Sequence, residues 1–266
     1  MGAGASSQRL PVLGVAIDAL GMDQAVQRVA DLARSGQGGY VCLCNAHSVV
    51  TASNDAAFAR ALAGASLALP DGAPVAWMLR RQGVRDQQRV SGPDLMLACC
   101  AHAAQHGEPI YLYGSSPETL AALQRMLRAR WPQLHIAGAH APPFRAATPD
   151  EDRADVQRIN ASGARTLFVS LGCPKQELWM AAHRHAIRAV QVGVGAAFDF
   201  HAGTLQRAPL WMRRSGLEWL HRLAHEPRRL WRRYLVTNSL FIAGALAQLW
   251  RSGGAVVAQW WRSGGA

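Results

Sequence analysis

Lysine is almost absent from this 266-residue chain, in which Lys175 is the only lysine beside 27 arginines. Charged residues are also scarce, at 17%, whereas half of the residues are hydrophobic, which excludes a chain that is disordered throughout. No run of 18 uncharged apolar residues occurs, so no segment is predicted to cross a bilayer. At this length, one large domain or one domain with an appendage is expected.

The positive charge is concentrated in the last sixty residues. The chain carries a formal net charge of +11, of which residues 1–206 contribute only +3. Residues 207–266 contain ten arginines but only two acids, Glu218 and Glu226. Such an excess is compatible with nucleic acid, with an acidic membrane surface and with a phosphate-bearing substrate.

The cysteines predict reduced thiols rather than a disulfide framework. There are five, an odd number without paired spacing, which favours a cytosolic protein. Cys42, Cys44, Cys99 and Cys100 lie in apolar patterns without a second half for a zinc site, so we interpret them as core residues. The first residues lack the basic and apolar regions of a signal peptide, and export is not expected.

Short apolar runs alternate with helical patterns along most of the chain. The predicted strands are Val12–Ile17, Tyr40–Cys44, Leu67–Leu69, Ile110–Tyr113, His135–Ala139, Thr166–Leu171 and Ala189–Val194. The predicted helices are Met22–Ala33, Ser53–Ala63, Ala73–Gln82, Pro93–His106, Ser116–Arg130, Asp150–Ala161 and Lys175–His185. This alternation predicts a Rossmann-like α/β fold, a mostly parallel sheet with helices on both faces.

Small-residue loops follow several of the predicted strands, and ligands bind at that end of an open α/β sheet. Gly172 and Gly195 lie in two such loops and would let backbone approach a phosphate-bearing small molecule. Gly193-Val194-Gly195 is similar to the start of a dinucleotide fingerprint, but Phe198 replaces its third glycine.

Several motifs follow one another in a fixed order. They are Leu69-Pro70-Asp71-Gly72, Arg89-Val90-Ser91-Gly92-Pro93-Asp94-Leu95, Gly172-Cys173-Pro174-Lys175-Gln176-Glu177, Gly193-Val194-Gly195-Ala196-Ala197-Phe198-Asp199-Phe200, Ala208-Pro209-Leu210-Trp211-Met212, Gly216-Leu217-Glu218-Trp219-Leu220-His221-Arg222-Leu223 and Glu226-Pro227-Arg228-Arg229. The series resembles the WecG/TagA/CpsF glycosyltransferases of bacterial surface-polysaccharide synthesis over about residues 10–245. The resemblance implies inverting, metal-independent transfer of N-acetylmannosamine or a related sugar from a UDP-sugar to an undecaprenyl-diphosphate-linked acceptor, without a cofactor.

The resemblance also assigns residues. Asp71 would be the catalytic base, although an Asp before a helix is also a favoured N-cap. Asn45 and Gln176 match positions thought to contact the sugar nucleotide, and Asp199 is either a nucleotide contact or a structural carboxylate. The family often has threonine two residues before the asparagine, where this chain has Leu43, so any role of that hydroxyl does not carry over.

Cationic side chains would neutralise the leaving diphosphate in the absence of a metal. The candidates are Arg213, Arg214 and Arg222 in the cationic segment, with Arg89 and Lys175 in the body. Asp150-Glu151-Asp152 has a metal-binding spacing, but its place after Pro149 favours helix capping. His102 and His106 lie four residues apart, a possible metal pair, but we expect no carboxylate to complete it and interpret them as helix-surface or packing residues.

Three regions are therefore expected: an α/β catalytic domain at 10–206, a basic helical appendage at 207–250 and a flexible tail at 251–266. Gly216–Arg233 is predicted to be helical, followed by Tyr234–Trp250, which lacks charge and is too short to span a bilayer. Tryptophans and arginines favour a helix at the cytoplasmic membrane surface, and a helix docked on the body is the alternative. A Rossmann-type nucleotide-dependent oxidoreductase and a basic nucleic-acid binder remain as other functions.

Overall fold

The computed structural model of the chain describes residues 8–263, except for the side chains of Arg214, Arg229, Arg233 and residues 252–263. The strands are β1 (Arg9–Val12), β2 (Val15–Asp18), β3 (Tyr40–Cys44), β4 (Leu67–Pro70), β5 (Ile110–Gly114), β6 (Ile136–His140), β7 (Thr166–Ser170) and β8 (Val190–Gly193). The helices are α1 (Met22–Ser35), α2 (Ala46–Asn54), α3 (Ala56–Ala63), α4 (Ala73–Arg81), α5 (Gly92–His106), α6 (Pro117–Arg130), α7 (Pro149–Ala161), α8 (Lys175–Ala182), α9 (Ala197–Ala202), α10 (Leu210–Arg214), α11 (Glu218–His225) and α12 (Pro227–Ser263).

Six strands form one parallel sheet in the order β4-β3-β8-β7-β5-β6. All of their carboxyl ends therefore lie at one edge. Cys44 of β3 pairs with Pro70 of β4, so that Asn45 and Asp71 follow these strands side by side. The α/β fold with a parallel sheet flanked by helices and a C-terminal helix, predicted from the periodicity, is confirmed.

Each face of the sheet is covered by its own apolar cluster. On one face Val49 and Phe58 pack with Met180 and with Phe241 of α12. On the other face the cluster combines side chains of α1, α5, α6 and α9, with Phe168 and Phe198 fully buried. Cys42, Cys44, Cys99 and Cys100 are buried and free, which confirms them as core residues.

The single strand predicted at Val12–Ile17 is wrong, because β1 and β2 form an antiparallel hairpin there. Leu13 and Gly14 both have positive φ, at 48° and 87°, which turns the chain back within two residues. Leucine rarely adopts that conformation, so the apolar run concealed the turn. The Leu13 N–H donates to Gln248 Oε1 at 2.8 Å, so α12 holds the turn in place.

Two predicted helices are divided in the structure. Asp55 ends α2 and accepts hydrogen bonds from the backbone N–H groups of Ala57 and Phe58 at the start of α3. The helix predicted at Gly216–Arg233 is divided at Pro227, the first residue of α12, because proline lacks an N–H for a preceding helix. The short helices α9 and α10, and α2 before Ser53, were not predicted from the sequence.

α12 packs along α2 through one of its sides. Thr237, Phe241 and Ala245 are buried there, and Gly244 lies against the Leu13 side chain. The opposite side exposes apolar residues, among them Leu235, Ile242 and Leu246, at 59–63% of their surface. None of the helices in the described part of the chain is long and apolar enough to cross a membrane.

The predicted division into residues 10–206, 207–250 and 251–266 stays a prediction. The backbone of α12 extends into the predicted tail as far as Ser263. Residues 264–266 and the side chains after Arg251 lie outside the description.

Gly114 at the end of β5 should not tolerate a side chain. Its φ is +116°, and an added Cβ would overlap the carbonyl oxygen of Ser170 on β7. Gly83 is the matched control, because its φ of +103° has similar strain but nothing lies within 4 Å of an added Cβ. Gly83→Ala should cost about 1–3 kcal/mol in urea unfolding and Gly114→Ala at least about 2 kcal/mol more. Equal losses of unfolding free energy in the two variants would contradict the close approach of Gly114 to Ser170.

Candidate active site

A cavity of about 860 Å³ lies at the carboxyl ends of β3, β4, β5, β7 and β8. α11 and the first part of α12 form its outer wall. Nine of the predicted site residues line this cavity: Asn45, Asp71, Arg89, Gly172, Lys175, Gln176, Gly195, Asp199 and Arg222. The strand-end loops and the cationic segment therefore meet in one place.

Asp71 and Asn45 form the part of the wall next to the β3–β4 edge. The Asp71 N–H donates to the Cys44 carbonyl at 3.0 Å, which extends the strand pairing to the site residue. The Asn45 side chain caps α2 by accepting from the Ser48 N–H at 3.1 Å and also donates to Asp71. Gly72, not Asp71, is the N-cap residue of α4, and it makes no side-chain cap bond. The capping alternative for Asp71 is therefore wrong, because the helix begins one residue later.

Burial raises the pKa of Asp71 from 3.8 to about 6. The Arg89 guanidinium and the hydrogen bonds from Asn45 and Gly72 act in the opposite direction, while the Glu218 carboxylate raises the pKa further. Asp71 is thus ionised near neutral pH but binds a proton more readily than an ordinary aspartate. That is the property of a general base.

Small residues bring the loops after β5, β7 and β8 close together. The Ser115 N–H donates to the Ser170 carbonyl at 3.0 Å, and the Ser170 hydroxyl donates to the Gly195 carbonyl at 2.7 Å. Gln176 is almost fully buried and accepts from the Gly195 N–H at 3.2 Å while donating to Glu177 at 2.8 Å. Its amide thus holds two loops together, in addition to lining the cavity.

Asp199 lies at the start of α9, where it accepts a hydrogen bond from the Ser115 hydroxyl at 3.3 Å. It is partly exposed and lines the cavity. Asp199 therefore makes a structural hydrogen bond and is also open to a ligand, which are the two roles considered from the sequence.

The cations of the cavity differ in their partners. Arg89 Nη1 donates to Glu218 Oε2 of α11 at 2.8 Å, and both side chains are about four-fifths buried. Lys175 and Arg222 have no carboxylate partner within the described residues, and the buried Nε of Arg222 makes no hydrogen bond there. Arg222 instead lies 6.0 Å from the Phe200 ring centre. These two cations are available to an anionic ligand.

A second ion pair ties the segment before α10 to the body. Arg207 binds Asp94 through two hydrogen bonds of 2.6 and 2.7 Å, and its Nε lies 3.6 Å from Glu218. Although burial opposes ionisation, the Arg207 and Ser91 hydrogen bonds lower the pKa of Asp94 to about 2. Arg213 approaches the same carboxylate at 3.9 Å, whereas the Arg214 side chain lies outside the description.

Sequence reasoning missed Arg207 and Glu218, together with four wall residues on α2 and α12: His47, Tyr234, Thr237 and Asn238. Glu218 and Asp94 lie in motifs that the sequence analysis quoted, but their partners are more than a hundred residues away. One available signal was that Glu218 is one of only two acids among the ten arginines of residues 207–266.

Two possible metal-binding sequences outside the cavity, Asp150-Glu151-Asp152 and the pair His102 and His106, make contacts within the protein instead. Thr148 and Glu151 form a capping box at the start of α7, which confirms the capping interpretation of Asp150-Glu151-Asp152. His102 and His106 stack on one another on α5, and Glu108 does lie near His102, at 3.7 Å. Among residues 8–263, no three His, Cys, Asp or Glu side chains form a group that could hold a metal ion.

The chain matches a known protein family. The family model described as "Glycosyl transferase WecG/TagA/CpsF family" matches residues 10–254. The match includes the sheet, the cavity and the appendage through most of α12.

The raised pKa of Asp71 should be visible in the stability of the Asp71→Asn variant. The folded state binds the Asp71 proton more tightly than the unfolded state, so stability from this group is present below about pH 4 and lost as pH rises through about 6. Above pH 6 the variant should exceed wild type by up to about 3 kcal/mol, and the difference should disappear near pH 4. Urea unfolding at several pH values measures it. A pH-independent difference between Asp71→Asn and wild type would contradict the shift.

Proposed function

Because the chain belongs to the WecG/TagA/CpsF family of glycosyltransferases, we propose that it takes its sugar from a UDP-sugar. The donor sugar is N-acetylmannosamine or a relative, and the acceptor is an undecaprenyl-diphosphate-linked saccharide used for a surface polysaccharide. The observation that carries this proposal is the placement of Asp71, whose raised pKa suits a base, in one cavity with small-residue loops and with Arg222 of α11.

Asp71 is the base of an inverting displacement in this proposal. Its carboxylate accepts the proton of the acceptor hydroxyl as that oxygen bonds to the anomeric carbon. The bond from the anomeric carbon to the diphosphate oxygen breaks at the same time, and the electron pair leaves with UDP. Asn45 supports this role because its amide orients the Asp71 carboxylate while its oxygen caps α2.

Lys175 and Arg222 are the cations best placed to stabilise the leaving diphosphate. Both line the cavity, and neither is neutralised by a carboxylate within the described part of the chain. The loops around Gly172 and Gly195 provide close approach of backbone to the phosphates. Arg89 remains a candidate once the diphosphate competes with Glu218, whereas Arg213 faces Asp94 instead. A metal is not required by this arrangement of charges.

The two other functions considered from the sequence have less support. Gly193 and Gly195 lead into α9, a helix of six residues in which Phe198 is buried. A dinucleotide fingerprint instead uses its third glycine for close helix packing. The arginines at 89, 207 and 213 approach carboxylates of the protein, unlike the open cationic surface of a nucleic-acid binder.

Asp71→Asn should lower sugar transfer about 10²- to 10⁴-fold, because the amide cannot accept the hydroxyl proton. Binding of UDP, measured by calorimetry, should be unchanged and insensitive to a chelator. Transfer would be assayed with a panel of UDP-sugars and a lipid-diphosphate acceptor. Asp86→Asn, an exposed replacement of the same kind, should retain full activity. Normal turnover by Asp71→Asn would refute the base assignment.

The appendage has the composition of a membrane-surface element. Among the described side chains of α10, α11 and α12, eleven large apolar ones are exposed: Leu210, Trp211, Trp219, Leu220, Trp231, Leu235, Val236, Leu240, Ile242, Leu246 and Trp250. Arg228 and Arg232 are exposed on the same helices. Tryptophans with arginines at the edge of an apolar surface suit the boundary between headgroups and acyl chains.

We therefore place the enzyme at the cytoplasmic side of the cell membrane, held peripherally by this surface. α12 can dock on the body and bind the membrane at the same time, because these contacts use different sides of the helix. The Thr237–Phe241 side contacts the body, and the Leu235–Ile242 side is open to lipid. A lipid-linked acceptor would then reach the cavity without a membrane-spanning helix.

Replacing Leu235 and Ile242 together by aspartate should lower vesicle binding about tenfold, because charge replaces exposed apolar area. Co-sedimentation with vesicles containing anionic phospholipid measures the effect. Ala129→Asp, on the exposed surface of α6, adds the same kind of charge elsewhere and should leave vesicle binding unchanged. Equal binding by the double variant and wild type would contradict the membrane assignment.

A further inference from the structure

The cavity is lined by two unlike groups of residues besides Asp71. One consists of the small-residue loops after β5, β7 and β8, with Lys175 and Gln176. The other consists of four side chains from two helices, which we name the α2/α12 wall: His47, Tyr234, Thr237 and Asn238.

The α2/α12 wall is held in place by contacts on several sides. Thr237 is 6% exposed, and its hydroxyl lies 3.4 Å from His47 Nδ1. The Tyr234 ring packs at a tilt against Trp219 of α11, with 5.6 Å between ring centres. One turn further along, Phe241 is buried against the body. The wall is therefore a shaped surface with polar groups and is suited to binding a ligand.

Asn238 is the member of this wall with free hydrogen-bonding capacity. Its side chain is partly exposed and lines the cavity, and it has no hydrogen bond within the described part of the chain. A carboxamide both donates and accepts, which suits the hydroxyl and acetamido groups of a sugar. A helical amide that faces a cavity without a protein partner is suited to a ligand rather than to packing.

Asn238 also lies at the border between the cavity and the exposed apolar surface of α12. It is three residues after Leu235 and four before Ile242, so these side chains are neighbours along one strip of the helix. Leu235 and Ile242 are 61% and 59% exposed. A ligand bound at Asn238 could thus extend an apolar chain directly over this strip.

We propose that the α2/α12 wall is the acceptor subsite, where Asn238 binds a polar group of the acceptor sugar while the lipid passes over Leu235 and Ile242. This inference rests on the proposed function. In an inverting displacement, the acceptor oxygen attacks opposite the leaving group. If the diphosphate lies near Lys175 and the small-residue loops, the acceptor must occupy another part of the cavity, and the α2/α12 wall is a part that those loops do not form.

The test compares Asn238→Ala and Asn238→Phe with Ser239→Ala, which changes the next, exposed residue of α12. Steady-state transfer is measured with the acceptor and the donor varied in turn. Asn238→Ala should raise the acceptor KM about 3- to 10-fold through the loss of one neutral hydrogen bond. Asn238→Phe should lower transfer further by filling the subsite. Both variants should keep the wild-type UDP affinity, and Ser239→Ala should resemble wild type throughout.

The outcomes separate this inference from the proposed function. An acceptor KM unchanged in Asn238→Ala and Asn238→Phe would overturn the subsite, as would a loss of UDP affinity that places Asn238 on the donor side. If wild type transfers sugar from no UDP-sugar, the proposed function itself fails. Thermal melting identifies a misfolded Asn238→Phe, and Asn238→Ala then decides alone, since it removes atoms without adding bulk.

Discussion

The ion pair between Arg89 and Glu218 joins the sheet to the appendage, and the cavity depends on it for its outer wall. The partners are 129 residues apart, and the bond is mostly shielded from water, where charge pairs are screened least. Arg207 strengthens this junction by binding Asp94 while approaching Glu218. Through these contacts α11 holds Trp219 and Arg222 in the lining of the cavity at the strand ends.

The same junction influences the chemistry of the site. Arg89 lies between two carboxylates, Asp71 and Glu218, and its hydrogen bond goes to Glu218. Asp71 therefore keeps a raised pKa instead of being neutralised by a direct ion pair. A partly buried carboxylate with a raised pKa costs folding stability, which is a common feature of catalytic groups. The position of the appendage and the basicity of Asp71 are thus physically linked.

α12 is amphipathic in an unusual sense, because its more polar side faces the protein. Gln248 donates to the Pro11 carbonyl at 2.7 Å and accepts from the Leu13 N–H, so it satisfies backbone groups of a strained hairpin turn. Gly244 allows the helix to approach that turn closely. The apolar side is left exposed and adjoins the cavity at Asn238. One helix therefore supports the fold, lines the cavity and leaves an apolar surface exposed.

The sequence by itself determined the α/β fold and the placement of Asn45, Asp71, Gly172 and Gly195 at strand ends. Periodicity is a local property, and parallel strands necessarily bring their carboxyl ends to one edge. Periodicity did not reveal the turn at Leu13, because an apolar residue with positive φ leaves no compositional signal.

Only the tertiary structure decided which charges pair and which side of α12 faces the body. Arg89 was predicted as a ligand-binding cation, yet it contacts Glu218, and no periodic pattern links residues so far apart. The helical pattern of α12 defines two sides, but hydrogen bonds to Pro11 and Leu13 select the polar one for docking. Local sequence fixes how a segment folds, whereas the choice of its partners depends on groups that meet only after the chain has folded.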